Sequence, residues 1–145
     1  MARGGARIDP SWGRTMRTAS RIFIGETKRA VKRLISQTAE IIAGQAVALA
    51  PVDTGNLKSS IDIDYKDGGL TAKISVGSEY AIYVEYGTGV YAVDGNGRRT
   101  AWTYFDEKLG RYVKTHGMRA QPFFWPAVEN GERFFKREAR RMGVL

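Results

Sequence analysis

The chain has 145 residues, 43% hydrophobic and 26% charged, with a formal net charge of +8 and no cysteine. A chain of this size suits one domain that buries roughly two-thirds of its unfolded surface, so it needs no disulfide or metal to fold, and disulfides, zinc–thiolate centres and thiol nucleophiles are excluded. No stretch approaches the roughly 18 apolar residues of a membrane span, and no apolar segment precedes a small-residue cleavage site near the N-terminus, so a cytoplasmic protein without a secretory signal is expected.

Residues 1–20 hold Gly4, Gly5, Gly13 and four arginines, with no clear periodicity. They read as a flexible basic arm, followed by a single domain over 21–145. Ile8 and Trp12 are apolar exceptions that suggest docking in an assembly. From about Gly25 to Ala50 the pattern turns helical: Val31, Leu34, Ile35, Thr38, Ile41, Ile42, Gln45, Ala46 and Leu49 recur at spacings of three and four. Gly44 weakens this helix by roughly 1 kcal/mol relative to alanine, and its lack of a side chain is expected to admit a close neighbour. Pro51 ends the helix.

Asp53-Thr54-Gly55-Asn56 is turn chemistry, and Asp53 or Thr54 is placed to cap a helical turn through Lys58 and Ser59. Two alternating runs follow, Ile61 to Tyr65 and Leu70 to Val76, joined by Lys66-Asp67-Gly68-Gly69. That is the strongest hairpin signal in the chain. Glu79 to Thr88 is dense in aromatic and aliphatic residues; a short helix and a strand both fit, and a helical segment ending at Gly87 is the favoured reading. Asp94 to Arg99 is an exposed polar loop. Trp102 and Tyr104, then Tyr112 and Val113, flank a turn over Asp106–Gly110 and suggest a second hairpin. Gln121 to Trp125 reads as extended, with Pro126 as the first residue of a C-terminal helix. Phe134, Phe135, Ala139 and Met142 form that helix's apolar face. The order predicts an α+β fold, with a long N-terminal and a C-terminal helix packed on a small antiparallel sheet built from two hairpins.

Charge is unevenly spread. Residues 1–36 carry nine bases and two acids, residues 37–130 nine bases and eleven acids, and residues 131–145 five bases and two acids. The positive excess sits at both ends, where it suits an anionic partner.

Catalytic material is poor. His116 is the only histidine, and its Thr-His-Gly setting suggests a loop residue. Asp62 and Asp64 share a strand face at a spacing that could hold a metal, but an outward polar face explains them more simply. Gly87-Thr88-Gly89 lacks the lysine and spacing of a phosphate loop, and Ser59-Ser60 sits in no nucleophile motif. No enzymatic activity, metal or cofactor is expected. Basic ends with aromatics could contact nucleic acid non-specifically, although no sequence-reading motif is present.

Three segments carry a family resemblance: Ala48-Leu49-Ala50-Pro51-Val52-Asp53-Thr54-Gly55-Asn56-Leu57-Lys58-Ser59-Ser60-Ile61, then Tyr80-Ala81-Ile82-Tyr83-Val84-Glu85-Tyr86-Gly87-Thr88, then Arg119-Ala120-Gln121-Pro122-Phe123-Phe124-Trp125-Pro126-Ala127. In order and spacing they resemble the minor tail component, or tail-completion, family of long non-contractile-tailed bacteriophages, over roughly residues 24–142. The resemblance implies a virion protein at the head–tail junction, assembled in the host cytoplasm as a ring, commonly a hexamer. Its partners would be the head connector and the tail tube or tail terminator. It implies no catalysis and no cofactor. Gln121 stands where the family usually has a basic residue, with Arg119 two positions earlier, and the arm is longer than expected.

The interface candidates are Trp12, Tyr83, Tyr86, Arg98, Arg99, Trp102, Arg119, Phe124 and Trp125, because large side chains with polar tips suit surfaces shared between a core and a neighbour. Phe123 and Phe124 could equally be monomer core. Pro51, Asp53, Thr54, Gly55, Gly87 and Pro122 are the turn-forming positions. The alternatives are a tail terminator capping the tube, and a non-specific DNA-binding packaging accessory protein.

Overall fold

The structure, a computed structural model, describes residues 10–52 and 55–145. Its longest element is α1 (Pro10–Leu49). Residues 10–20, expected as an arm, are therefore helical, and the turn positions Asp53 and Thr54 lie outside the described residues. The helical period in residues 10–24 is sparse but real: Trp12, Met16, Ala19 and Phe23 step by four, three and four. Arginine is a good helix former, and the Thr15 hydroxyl donates back to the Ser11 carbonyl at 3.0 Å.

After Pro51 the chain makes the single turn α2 (Asn56–Ser59), entered through Gly55 at φ 69°. Ser59 and Ser60 donate their hydroxyls to the carbonyls of Asn56 and Leu57, which closes that turn. Strands β1 (Ile61–Lys66) and β2 (Thr71–Val76) form the expected hairpin. Ile61 pairs with Val76, Ile63 with Ile74 and Tyr65 with Ala72, which sets one apolar face against α1. Asp62 and Asp64 lie on the opposite, exposed face, and Asp64 is bridged by Lys66 at 3.5 Å.

The expected short helix is α3 (Ala81–Tyr86), ended by Gly87. Strands β3 (Trp102–Asp106) and β4 (Arg111–Thr115) make the second hairpin. The two hairpins do not join into one sheet: each is its own two-stranded sheet. Only β1–β2 lies along α1. An isolated two-stranded hairpin is marginal in water; here Phe105 and Tyr112 brace β3–β4 with an edge-on ring contact at 5.3 Å.

Helix α4 (Phe124–Arg141) runs back along α1. Pro126 is its third residue rather than its first. Ala127 meets Ala46 in the core, Asn130 donates to the Gln45 side chain at 2.7 Å, and Met142 and Val144 line a cleft with Phe23, Thr27 and Ala30 of α1. The order of these contacts makes the two helices antiparallel. On the solvent side Lys136 bonds Glu132 and holds its carboxyl below the ordinary carboxylate value. The core itself gathers Ala46, Ala50, Leu57, Val84, Phe123 and Ala127, with Phe123 and Leu57 the largest fully buried side chains.

The close approach expected at Gly44 occurs elsewhere. A methyl group at Gly44 would meet nothing within 4 Å, whereas one at the buried Gly131 of α4 would overlap the Ile42 side chain of α1. Gly131→Ala is expected to lose about 1–3 kcal/mol through overpacking, despite alanine's better helix propensity. Gly44→Ala should gain about 0.5–1 kcal/mol. Urea unfolding of the two variants checks both signs.

Candidate functional site

Helix α4 begins in a segment with no capping residue of its own. Phe123 stands at the N-cap position, and neither it nor Pro122 offers a side-chain oxygen. The first backbone N–H groups of a helix lack intrahelical acceptors and need an outside partner when buried. Glu85, on α3, supplies it. Its Oε2 accepts from the N–H of Phe123 at 2.8 Å and of Phe124 at 3.0 Å, and its Oε1 accepts from the N–H of Trp125 at 3.0 Å. The next residue, Pro126, has no N–H to satisfy. One carboxylate thus completes the N-terminus of α4, where negative charge also complements the helix dipole. Glu85 is 6% exposed.

The backbone reinforces this clamp. Gln121 N–H donates to the Val84 carbonyl at 2.8 Å, Thr88 N–H to Met118 at 2.9 Å and Val90 N–H to His116 at 3.0 Å. The Thr88 hydroxyl accepts from Met118 N–H at 2.9 Å. Such pairing demands bare backbone at the crossing. A side chain at Gly89 would overlap the His116 carbonyl, and one at Gly117 would overlap the Thr88 carbonyl. Gly87-Thr88-Gly89 is therefore a close-packing element. His116 is an exposed residue of the connecting segment, as expected.

With α3 fixed against the start of α4, a band of large side chains faces outward. Ile82, Tyr83, Tyr86 and Trp125 are 67%, 56%, 42% and 50% exposed. The Trp125 indole N–H donates to the Tyr86 hydroxyl. Phe124 stacks edge-on between Phe123 and Trp125, at 6.4 and 6.0 Å, and is half-buried against the core. Phe123 is wholly core. The expected extended geometry for these three residues is corrected: Phe124 and Trp125 are already helical.

An open groove of about 650 Å³ runs beside this band, lined by Ile82, Tyr83, Tyr86, Ala92, Arg98 and Trp102 among others. Arg98 lies over the Trp102 ring at 5.6 Å and bonds Thr100 at 3.2 Å. The fold therefore gathers Tyr83, Tyr86, Arg98, Trp102, Phe124 and Trp125 around α3. Arg119 stacks over Tyr91 at 4.8 Å instead. Arg99 is exposed without a contact of this kind. Trp12 is far away: 34 residues of α1 separate it from Ala46, about 50 Å at 1.5 Å per residue.

Among the described residues no group of three or more His, Asp or Glu side chains could hold a metal, and no helix is long and apolar enough to cross a membrane. The groove beside α3 is open and lined largely by apolar and aromatic side chains. What this arrangement can do is offer apolar area with polar tips to another macromolecule.

A family model described as "Bacteriophage HK97-gp10, putative tail-component" matches residues 14–87. The chain belongs to this family. The match starts on α1, runs through the first hairpin and ends at the Gly87 cap of α3, so it contains the first of the three segments that carried the resemblance and all of the second but Thr88. The third, residues 119–127, lies beyond it and is tied to the family region by Glu85. Family membership makes the chain a bacteriophage tail-related protein. No curated protein and no solved structure matches the chain.

Proposed function

We propose that this protein is a non-enzymatic structural subunit of the head–tail junction, where copies close into a ring between the head connector and the tail tube or its terminator. Six copies are the expectation. The observation that carries this reading is the exposed aromatic band of Tyr83, Tyr86 and Trp125, held rigid by the Glu85 clamp in a chain of a phage tail family. Apolar patches of this kind on a soluble domain mark interaction surfaces.

A head-to-tail ring needs two different complementary patches per subunit. The α3–α4 band is one. The second is the far end of α1, where Trp12, Met16 and Phe23 are 55%, 45% and 69% exposed and every residue from 11 to 24 except Gly13 is exposed. A helix segment this short is marginal alone in water, so a neighbour's surface would stabilise it. Patches at opposite ends of one long helix suit successive subunits in a ring. The open centre would pass DNA, and the subunit's action would be passive.

A cryo-EM map of the virion neck tests the reading. Ring density fitting this fold between connector and tube is expected. Density at the tube's terminal layer alone would favour the tail-terminator role. Absence of the chain from particles would overturn both.

A further inference from the structure

The apolar stripe of the α1 overhang has a basic counterpart. At 100° per residue, Arg14, Arg17, Arg21 and Lys28 fall within about 60° of one another, and the row ends where Lys32, half-buried, lies along the Gly68–Gly69 turn of the first hairpin. Trp12, Met16, Ala19 and Phe23 occupy the opposite flank. The free basic row spans 14 residues, about 21 Å. Six of the seven cations between residues 10 and 36 are exposed, and Glu26 is the only acid there. None of these cations forms a salt bridge among the described residues. Because α4 runs antiparallel to α1, its basic end, with Arg137, Arg140 and Arg141, lies at the same end of the molecule. The cations of α1 and those at the end of α4 thus lie at one pole of the molecule.

The geometry points to duplex DNA, bound through its phosphates without regard to sequence, as the ligand of this row. A straight run of about 21 Å matches the axial span of about six phosphates of one strand at 3.4 Å each. Five of the seven α1 cations are arginines, whose guanidinium suits phosphate oxygens. Among the described residues, a second copy of the chain offers no matching anionic face. Its middle is near neutral, and its acids are interleaved with bases, as where Asp64 opposes Lys73 and Asp106 opposes Arg111. An anionic membrane is disfavoured because the overhang's apolar flank continues the stripe of Thr27 and Ala30 that lies beside the end of α4. That flank belongs to protein contact, leaving the basic flank free. This assignment does not require a ring.

Fluorescence anisotropy of the full chain with a labelled 20-base-pair duplex tests it across 50–200 mM salt. Three to five phosphate contacts predict a slope of log affinity on log salt of roughly −3 to −4.5. The variant Arg14→Gln/Arg17→Gln/Arg21→Gln should bind at least about tenfold more weakly and flatten the slope by about 2–3. The charge-matched Lys58→Gln/Lys73→Gln/Lys114→Gln should stay within about twofold of the parent. Equal losses in both variants, no binding at 50 mM salt, or binding to anionic lipid vesicles without binding to the duplex would each overturn the proposal. DNA binding by a chain that stays monomeric would sink the ring reading and leave this one standing.

Discussion

Glu85→Ala is expected to lose about 3–5 kcal/mol of folding stability. The change leaves the N–H groups of Phe123, Phe124 and Trp125 without their acceptor. Hydrogen bonds to charged groups are worth about 1.5–3 kcal/mol each, and stranding buried donors adds a desolvation cost. Water can recover part of this at Trp125, which is half-exposed. It cannot easily do so at Phe123, which is 1% exposed. Against a total of about 5–15 kcal/mol for a typical domain, the loss is a large share. It corresponds to a fall of about 10–20 °C in Tm. Glu85→Gln keeps one acceptor oxygen but turns an amide N–H toward a backbone donor, so an intermediate loss of about 2–3 kcal/mol is expected. Circular dichroism melts measure both. A change below about 1 kcal/mol for Glu85→Ala would mean that the start of α4 is held mainly by Phe123 packing.

The clamp explains why part of this molecule was legible in the sequence and part was not. The first hairpin was readable because Ile61, Ile63, Ile74 and Val76 alternate with polar residues around a glycine turn. The amphipathic half of α1 was readable because Leu34, Thr38, Ile42 and Ala46 recur every four residues, with Leu34 and Ala46 buried and Thr38 and Ile42 half-buried. The first turns of α1 were not, because arginine and threonine interrupt a stripe of only four apolar residues. Gly44 drew attention as a helix glycine, yet the crossing with α4 is made at Gly131, and single-sequence periodicity carries no information on which glycine a partner helix will meet.

Glu85 was missed for a related reason. Its partners are 38 to 40 residues away, beyond any local pattern. Two signals were nonetheless present: a lone acid in an otherwise apolar helix, and a downstream helix start, Gln121-Pro122-Phe123-Phe124, with no serine, threonine, aspartate or asparagine to cap it. An uncapped buried helix start demands a remote acceptor. The candidate site was half legible. Tyr83, Tyr86, Trp102 and Trp125 stood out as large amphipathic side chains and do share one region. Trp12 stood out too, but its position at the opposite end of α1 emerges only once residues 10–24 are seen to continue that helix.

That separation gives the second large effect, and it is read in assembly rather than stability. Trp12→Asp alters an exposed side chain and should fold with stability within about 1 kcal/mol of the parent, while Tyr86→Asp also gives up the Trp125 indole hydrogen bond and should lose about 1–2 kcal/mol yet stay folded. Each places a charge in one of the two proposed patches and spoils one side of every subunit junction. Desolvating that charge at a contact costs several kcal/mol, or a factor of 10³ or more in affinity. A Trp12→Asp subunit retains an intact α3–α4 band, and a Tyr86→Asp subunit retains an intact α1 overhang. Mixed together, they can form one sound junction and no more.

Native mass spectrometry of the parent chain, the two variants and their equimolar mixture reads this directly. A closed ring for the parent, monomers for each variant alone and a heterodimer for the mixture are expected. A parent that remains monomeric at tens of micromolar, or variants that close rings as readily as the parent, would contradict assembly through the two ends of α1.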